Sequence, residues 1–115
     1  ETYDENEDSI IPVEWFLAAQ DAHIKLGWKA EGTIIASHDP SDEGGDSKGF
    51  VLRHGNVILD VCEMVTGDAG EGMDWALDKA LKANADHFIW DADGLGVSLK
   101  RQVDQASAVL VAAKR

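Results

Sequence analysis

Basic residues are scarce in this sequence of 115 residues. It has 10 lysines and arginines against 22 aspartates and glutamates, so its formal net charge at pH 7 is -12. Proteins that bind nucleic acids unaided neutralise phosphates with clustered Lys and Arg side chains, whereas a surface this acidic repels other polyanions. The composition therefore argues against a stand-alone nucleic-acid-binding module. Any contact with DNA would need metal ions, a local basic patch or a basic neighbouring domain.

Cysteine and long apolar runs are also lacking. The single cysteine, Cys62, excludes an internal disulfide and lies in an apolar run, which is typical of a buried thiol in a reducing compartment. No stretch approaches the roughly 20 apolar residues that cross a bilayer, and the N-terminus is acidic. Since 44% of the residues are apolar, the length and composition suit one ordinary domain with a modest core. We expect a cytoplasmic protein.

The first part of the chain predicts an arm followed by a helix. Residues 1–11 are acidic and offer little that could be buried, which indicates a linker or arm. Pro12 can occupy the first turn of a helix, and Gly27 offers a stop. Between them, apolar residues recur at roughly helical spacing: Val13, Phe16, Leu17 and Ile24. We expect a helix over 12–26 that opens a single domain extending over 12–115.

Three short segments rich in β-branched and apolar residues predict strands near 33–38, 49–54 and 57–64. The second and third are joined by His54-Gly55-Asn56, which is typical of a tight turn between antiparallel strands. We therefore expect the three strands to form an antiparallel meander.

A helix and a fourth strand follow the meander. Asp68 and Glu71 have the spacing of a capping box, although Asp replaces the usual Ser or Thr. Apolar residues then recur at helical spacing: Met73, Ala76, Leu77, Ala80 and Leu81. A strand is predicted near 87–91 and a further helix from 97 to 103. A helix between strands of one sheet implies a crossover and parallel strands, and this order is the core of the ribonuclease H fold.

Two of the predicted strands end in aspartate, at Asp39 and Asp91. If these strands are parallel neighbours, both carboxylates emerge at the same edge of the sheet, where α/β proteins place their sites. Two carboxylates held that close repel each other unless one is protonated or a cation lies between them. Mg²⁺ and Mn²⁺ prefer such oxygen ligands and can support phosphodiester hydrolysis. His38 precedes Asp39, so its side chain points to the opposite face, and we interpret it as structural.

Two other interpretations of these acids stay open. Acids after strands are often turn formers and helix caps, although four acids in eight residues exceed what a turn requires: Asp39, Asp42, Glu43 and Asp46. The segment 91–94 faintly resembles a calcium loop, but it lacks the remaining ligands at the spacing of an EF-hand.

Several segments resemble the nuclease domain of phage terminase large subunits. The most specific is 38–48, which contains an acidic loop with two glycines. The other matching segments are the turn at 53–55, Gly67-Asp68 at the start of a helix, and 90–97. Segments 10–15 and 21–23 resemble the junction that leads into that domain.

The resemblance implies a ribonuclease H-like endonuclease that cuts concatemeric viral DNA during genome packaging with a divalent metal, Mg²⁺ or Mn²⁺. Carried over residue by residue, Asp39 is the metal ligand of the first strand and Asp91 that of the fourth, and both are catalytic. Asp93 is a weaker candidate ligand. The implied partners are double-stranded DNA, the terminase ATPase domain, the small terminase subunit and the portal, in the cytoplasm of a bacterial host.

The sequence departs from the family pattern in two respects. It has no Gly-x-x-x-x-Gly-Lys-Ser/Thr loop, so ATP-driven translocation does not reside here. The family also contributes a third acid from a later region, whereas the one acid after Asp93 is Asp104, on a predicted helix. We therefore expect a C-terminally incomplete domain that is a poor nuclease in isolation. The alternatives are a catalytically silent assembly fragment, or another ribonuclease H-like enzyme such as a resolvase or half of a sugar-kinase-type ATPase.

Overall fold

The structure is a computed structural model that describes residues 10–41, 47–91 and 96–114. The chain divides into two compact units, and the boundary falls between Ala30 and Glu31. No helix in the described residues is long and apolar enough to cross a membrane.

The first unit contains two short helices, α1 (Val13–Ala19) and α2 (Ala22–Lys25). The prediction of one continuous helix over 12–26 is wrong, because Gln20 has an extended backbone and Asp21 a left-handed one, with φ of 54°. Aspartate is one of the few residue types that enter the left-handed region readily. No residue of either helix is buried.

The second unit contains a mixed sheet of four strands. They are β1 (Ile34–Asp39), β2 (Lys48–His54), β3 (Val57–Met64) and β4 (His87–Trp90), in the order β3-β2-β1-β4. The first three strands form an antiparallel meander, and β4 lies parallel to β1. The crossover between β3 and β4 is α3 (Ala69–Lys82), and α4 (Gly96–Lys114) follows β4. The predicted ribonuclease H-like topology is confirmed, although α4 is longer than the segment 97–103 expected to be helical.

The hairpin between β2 and β3 depends on Gly55. This residue has a φ of 58°, and a Cβ atom there would overlap the carbonyl oxygen of Glu31. Its N–H donates to the carbonyl oxygen of Thr33 at 2.9 Å. Glycine is therefore required both by the left-handed backbone and by the close approach of the chain before β1.

The start and the buried side of α3 explain how the helix covers the sheet. Asp68 is the N-cap, and its side chain accepts from the N–H of Glu71 at 2.8 Å. The helix buries small residues against the strands: Ala76 and Ala80 pack with Ala36, Phe50 and Leu52. One turn earlier, Met73 and Leu77 pack with Leu99 and Val103 of α4. Phe88 of β4 packs against both clusters, so the two helices lie on the same side of the sheet.

The sheet therefore has two unlike faces. The covered face carries the side chains that alternate toward α3: Ala36, His38, Phe50, Leu52 and Phe88. The open face carries the side chains that alternate the other way: Ser37, Asp39, Val51, Val61, Ile89 and Asp91. On the open face Val61 is 69% exposed and Ile89 is 55% exposed.

Candidate metal centre

The register of β1 and β4 brings the two predicted ligands together. In this parallel pair Ser37 lies beside Ile89 and His38 beside Trp90. Asp39 is the last residue of β1 and Asp91 directly follows β4, and both are exposed. Neighbouring strands are about 4.8 Å apart, so the two aspartates end adjacent strands on the same face and at the same edge of the sheet.

A shallow concavity of about 460 Å³ lies at this edge, and both aspartates line it. Its other open-face residues are Ser37, Gly49, Val51, Val61 and Ile89. The concavity therefore combines an apolar floor with two carboxylates at one end. This arrangement suits a small cation that also contacts a solvent-facing substrate.

Two carboxylates are the part of the site that the described residues provide. Within residues 10–41, 47–91 and 96–114, no group of three or more His, Cys, Asp or Glu side chains could hold a metal ion. The candidate Asp93 lies outside the described residues. Asp104 is exposed on α4, where it pairs with Lys100 at 2.9 Å, as a surface i,i+4 pair would.

A further carboxylate, Glu63, lies in the same row of the sheet. Asp39 is paired with Gly49, which is paired in turn with Glu63. Glu63 is therefore two strands from Asp39, with a residue that has no side chain between them. Glu63 is not part of any sequence motif, although the alternation expected in β3 places it on the open face.

His38 lies directly under the site on the covered face. It is 4% exposed, and its Nδ1 atom is 2.9 Å from the carbonyl oxygen of Gly49. A carbonyl oxygen only accepts, so Nδ1 carries the proton and donates. Nε2 is then an acceptor, and it is buried without a hydrogen-bond partner among the described residues. The prediction that His38 faces away from Asp39 is confirmed.

The protonation of His38 follows from its surroundings. Burial lowers the pKa of His38, and the Lys48 ammonium group acts in the same direction. The hydrogen bond to Gly49 and the carboxylate of Asp39 oppose this shift; each is a smaller effect than burial, and that of Lys48 is the smallest. His38 is therefore neutral near pH 7, and it adds no positive charge that would oppose a cation at Asp39.

Two long-range contacts hold the strands around the site. Asp86, just before β4, accepts from the N–H of Ile34 at 2.8 Å, and its own N–H donates to the carbonyl oxygen of Ile34 at 2.7 Å. Lys48 is 1% exposed, and its Nζ donates to the carbonyl oxygen of Gly67 at 2.8 Å. Asp86 thus fixes the start of the β1–β4 pair, and Lys48 ties the start of β2 to the loop before α3.

Solved nuclease domains share this architecture. The nuclease domain of the large terminase subunit gp2 of bacterial virus Sf6 matches this chain with a TM-score of 0.77 and 50% identity. This chain is thus similar to the nuclease domain of a phage large terminase subunit. A mutant of that domain with manganese and beta-thujaplicinol has a TM-score of 0.78 and 50% identity, and a mutant with calcium 0.76 and 50%.

The likeness covers different shares of the two proteins. In each of these three comparisons it extends over 85% of this chain and 43% of the Sf6 chain. The chain therefore spans less than half the length of the solved large-terminase nuclease domain. No protein-family model matches it, and no curated protein does.

Proposed function

We propose that this chain is part of the metal-dependent endonuclease of a phage terminase large subunit, which cuts concatemeric viral DNA during genome packaging. The observation that carries the proposal is that Asp39 and Asp91 directly follow the paired residues His38 and Trp90 of two neighbouring parallel strands and line one concavity. The proposal includes Mg²⁺ or Mn²⁺ as the cofactor, with Asp93 as an additional candidate ligand.

The chemistry of the two carboxylates fits such a cation. Their oxygens are the hard ligands that Mg²⁺ and Mn²⁺ prefer, and two negative charges on adjacent strands are relieved by a cation between them. A bound divalent ion polarises the phosphodiester and lowers the pKa of the attacking water. Asp39 and Asp91 would hold the ion on the open face, where a DNA strand has access. Water is the nucleophile, so no covalent enzyme intermediate forms.

Charge limits what this chain does by itself. Its net charge of -12 opposes the approach of DNA, whose affinity for proteins comes largely from phosphate contacts with Lys and Arg. The proposal therefore assigns DNA delivery to partners, namely the ATPase domain, the small terminase subunit and the portal, in the cytoplasm of the bacterial host. Similarity to the nuclease domain of a phage large terminase subunit favours this function over a resolvase or a sugar-kinase-type ATPase.

Manganese titration tests the site directly. Calorimetry of the chain is compared with Asp39→Asn and Asp91→Asn, and with Glu63→Gln as a control that removes one charge from the same row of the sheet. We expect each aspartate substitution to weaken Mn²⁺ binding at least roughly tenfold, because either one leaves a single ligand. The control should change the affinity less than about twofold, since its charge lies farther away and is screened.

Equal Mn²⁺ affinity in all four proteins would contradict the proposal and favour the catalytically silent assembly fragment. Nicking of supercoiled plasmid with Mn²⁺ at low salt is the second measurement. We expect slow cleavage at most, because two carboxylates hold a divalent ion weakly and the acidic surface repels DNA. Robust cleavage that both substitutions abolish would show that a further acid, such as Asp93 or Asp46, completes the site within this chain.

A further inference from the structure

We infer that His38 is a positioning residue for the cation site: its hydrogen bond to Gly49 holds the end of β1 so that Asp39 stays beside Asp91. The inference rests on the proposed function, because it takes the two aspartates as the cation ligands. His38 itself touches neither the cation nor the substrate.

The location of His38 links all three strands that meet at the site. It directly precedes Asp39, and its partner in β4 is Trp90, which directly precedes Asp91. Its side chain crosses to β2, where Nδ1 donates at 2.9 Å to Gly49, the residue paired with Asp39. The backbone of His38 thus forms the last pair with β4, and its side chain bonds the last residue pair on the β2 side.

The end of β1 needs such a contact for two physical reasons. The last pair of a strand is supported from one direction only, so strand ends open more readily than strand centres. The site adds electrostatic repulsion, because the like charges of Asp39 and Asp91 at the ends of adjacent strands favour separation of these ends. A hydrogen bond from a buried ring opposes both effects, and it does so from the face that solvent does not reach.

The ring of His38 also lowers the stability of the fold, so packing alone does not explain why a histidine lies here. The Nε2 atom of His38 is buried with no hydrogen-bond partner in the described part of the chain, and a buried polar atom without a partner lowers stability. The ring lies among aromatic side chains, 6.2 Å from Trp75 and 6.4 Å from Phe88 between centroids. An apolar residue would fill this place without the cost, so the Nδ1 donor is the property that histidine contributes.

Two substitutions at His38 separate the donor from the packing. Asparagine keeps a donor close to the Nδ1 position, whereas leucine keeps the apolar bulk and removes the donor. We expect His38→Leu to weaken Mn²⁺ binding about threefold to tenfold. This is less than the roughly 10–100-fold loss typical of direct hydrogen-bond partners of metal ligands, because His38 acts through the backbone of the strands. His38→Asn should stay within about twofold of the parent chain. Leu52→Ala, on the same covered face, is the control: it should destabilise the fold and leave the affinity within about twofold.

Calorimetric Mn²⁺ affinities and urea unfolding of the three variants decide the matter. The inference is supported if Mn²⁺ affinity falls only in the variant that lacks the donor, whatever the free energies of unfolding of the three variants. Unchanged affinity in His38→Leu, equal losses in His38→Asn and His38→Leu, or losses that follow stability in all three variants would overturn it. Asp39→Asn is titrated in parallel: if it binds Mn²⁺ as the parent does, the proposed function fails, and if it alone binds weakly, only the role of His38 fails.

A measurement on the parent chain covers the case in which a His38 variant does not fold. Nitrogen NMR of the imidazole ring reports which nitrogen carries the proton. We expect Nδ1 to be protonated and Nε2 to be bare. A ring protonated on Nε2 alone has no donor facing Gly49, and that result would overturn the inference without any substitution.

Discussion

The covered and open faces of the sheet do different work. On the covered face Ala36 and Phe50 are at most 1% exposed and pack under α3, whereas on the open face Val61 and Ile89 stay more than half exposed. Apolar burial, the main favourable term in folding, therefore comes from the covered face. The open face is free to carry like charges that a buried layer would not tolerate, and the candidate site lies there.

The largest expected effect tests whether the covered face alone supplies the apolar burial that stabilises the fold. We expect Phe50→Ala to lower the free energy of unfolding by about 3–5 kcal/mol, because it removes a fully buried ring from a close-packed layer. Val61→Ala, on the open face, should change it by less than about 0.5 kcal/mol. Urea unfolding followed by circular dichroism measures both. Equal losses in the two variants would show that the open face is also part of the core.

A smaller effect is expected where α3 crosses the sheet at Lys48. A Cβ atom on Gly72 would overlap Cδ of Lys48 and lie 2.6 Å from its Cε. Lys48 is fully buried and anchored at Gly67, so its side chain cannot move aside freely. We expect Gly72→Ala to destabilise the chain by about 1–3 kcal/mol, although alanine favours a helix by about 1 kcal/mol over glycine.

The matched control for this substitution is Gly70→Ala. It lies in the first turn of the same helix, where the nearest atom to an added Cβ is Oδ1 of Asp68 at 3.3 Å. We expect a change within about 0.5 kcal/mol in thermal or urea unfolding. If Gly72→Ala is as well tolerated as the control, the contact with Lys48 does not constrain how α3 sits on the covered face.

The parts of the fold that were predictable from sequence carry local signals. Gly55 lies in a turn between two apolar runs, and Asp68 caps α3 three residues before Glu71. Each of these patterns covers only a few residues, so the sequence alone predicts the meander and the crossover helix and their order along the chain. The break between α1 and α2 was missed because Gln20 and Asp21 include neither glycine nor proline.

The site was predictable only in part. Asp39 and Asp91 were predicted as ligands because each comes at the end of an apolar run, and parallel neighbours end at the same edge. Contacts that join distant segments leave no such pattern: the bond from His38 to Gly49 spans 11 residues, and that from Asp86 to Ile34 spans 52. Their partners depend on the register of the sheet, which only the folded chain determines. A lysine as buried as Lys48 also runs against the usual distribution of charged residues.

The smallest expected effect concerns the charges of the open face. We expect Asp39→Asn, without metal, to raise the free energy of unfolding by less than about 1 kcal/mol, because it removes the repulsion from Asp91 at the ends of β1 and β4. Asp91→Asn should act alike, and the double variant should gain little beyond either single one, since one substitution already removes the pair. Urea unfolding in EDTA at low salt measures the three differences.

The dependence of this stability gain on salt and on Mn²⁺ tests whether repulsion causes it. Near 1 M salt the Debye length is about 3 Å, so the gain should vanish there if repulsion is its cause. With Mn²⁺ in excess the order should invert, because a ligand that binds the folded chain stabilises it by RT ln(1 + [L]/Kd), and the parent chain binds more tightly than either variant. A gain that persists at high salt, or an order that Mn²⁺ leaves unchanged, would mean that the two carboxylates do not face each other across the strands. The two faces would then differ in burial alone, since the acidic residues of the open face would not form a cation site.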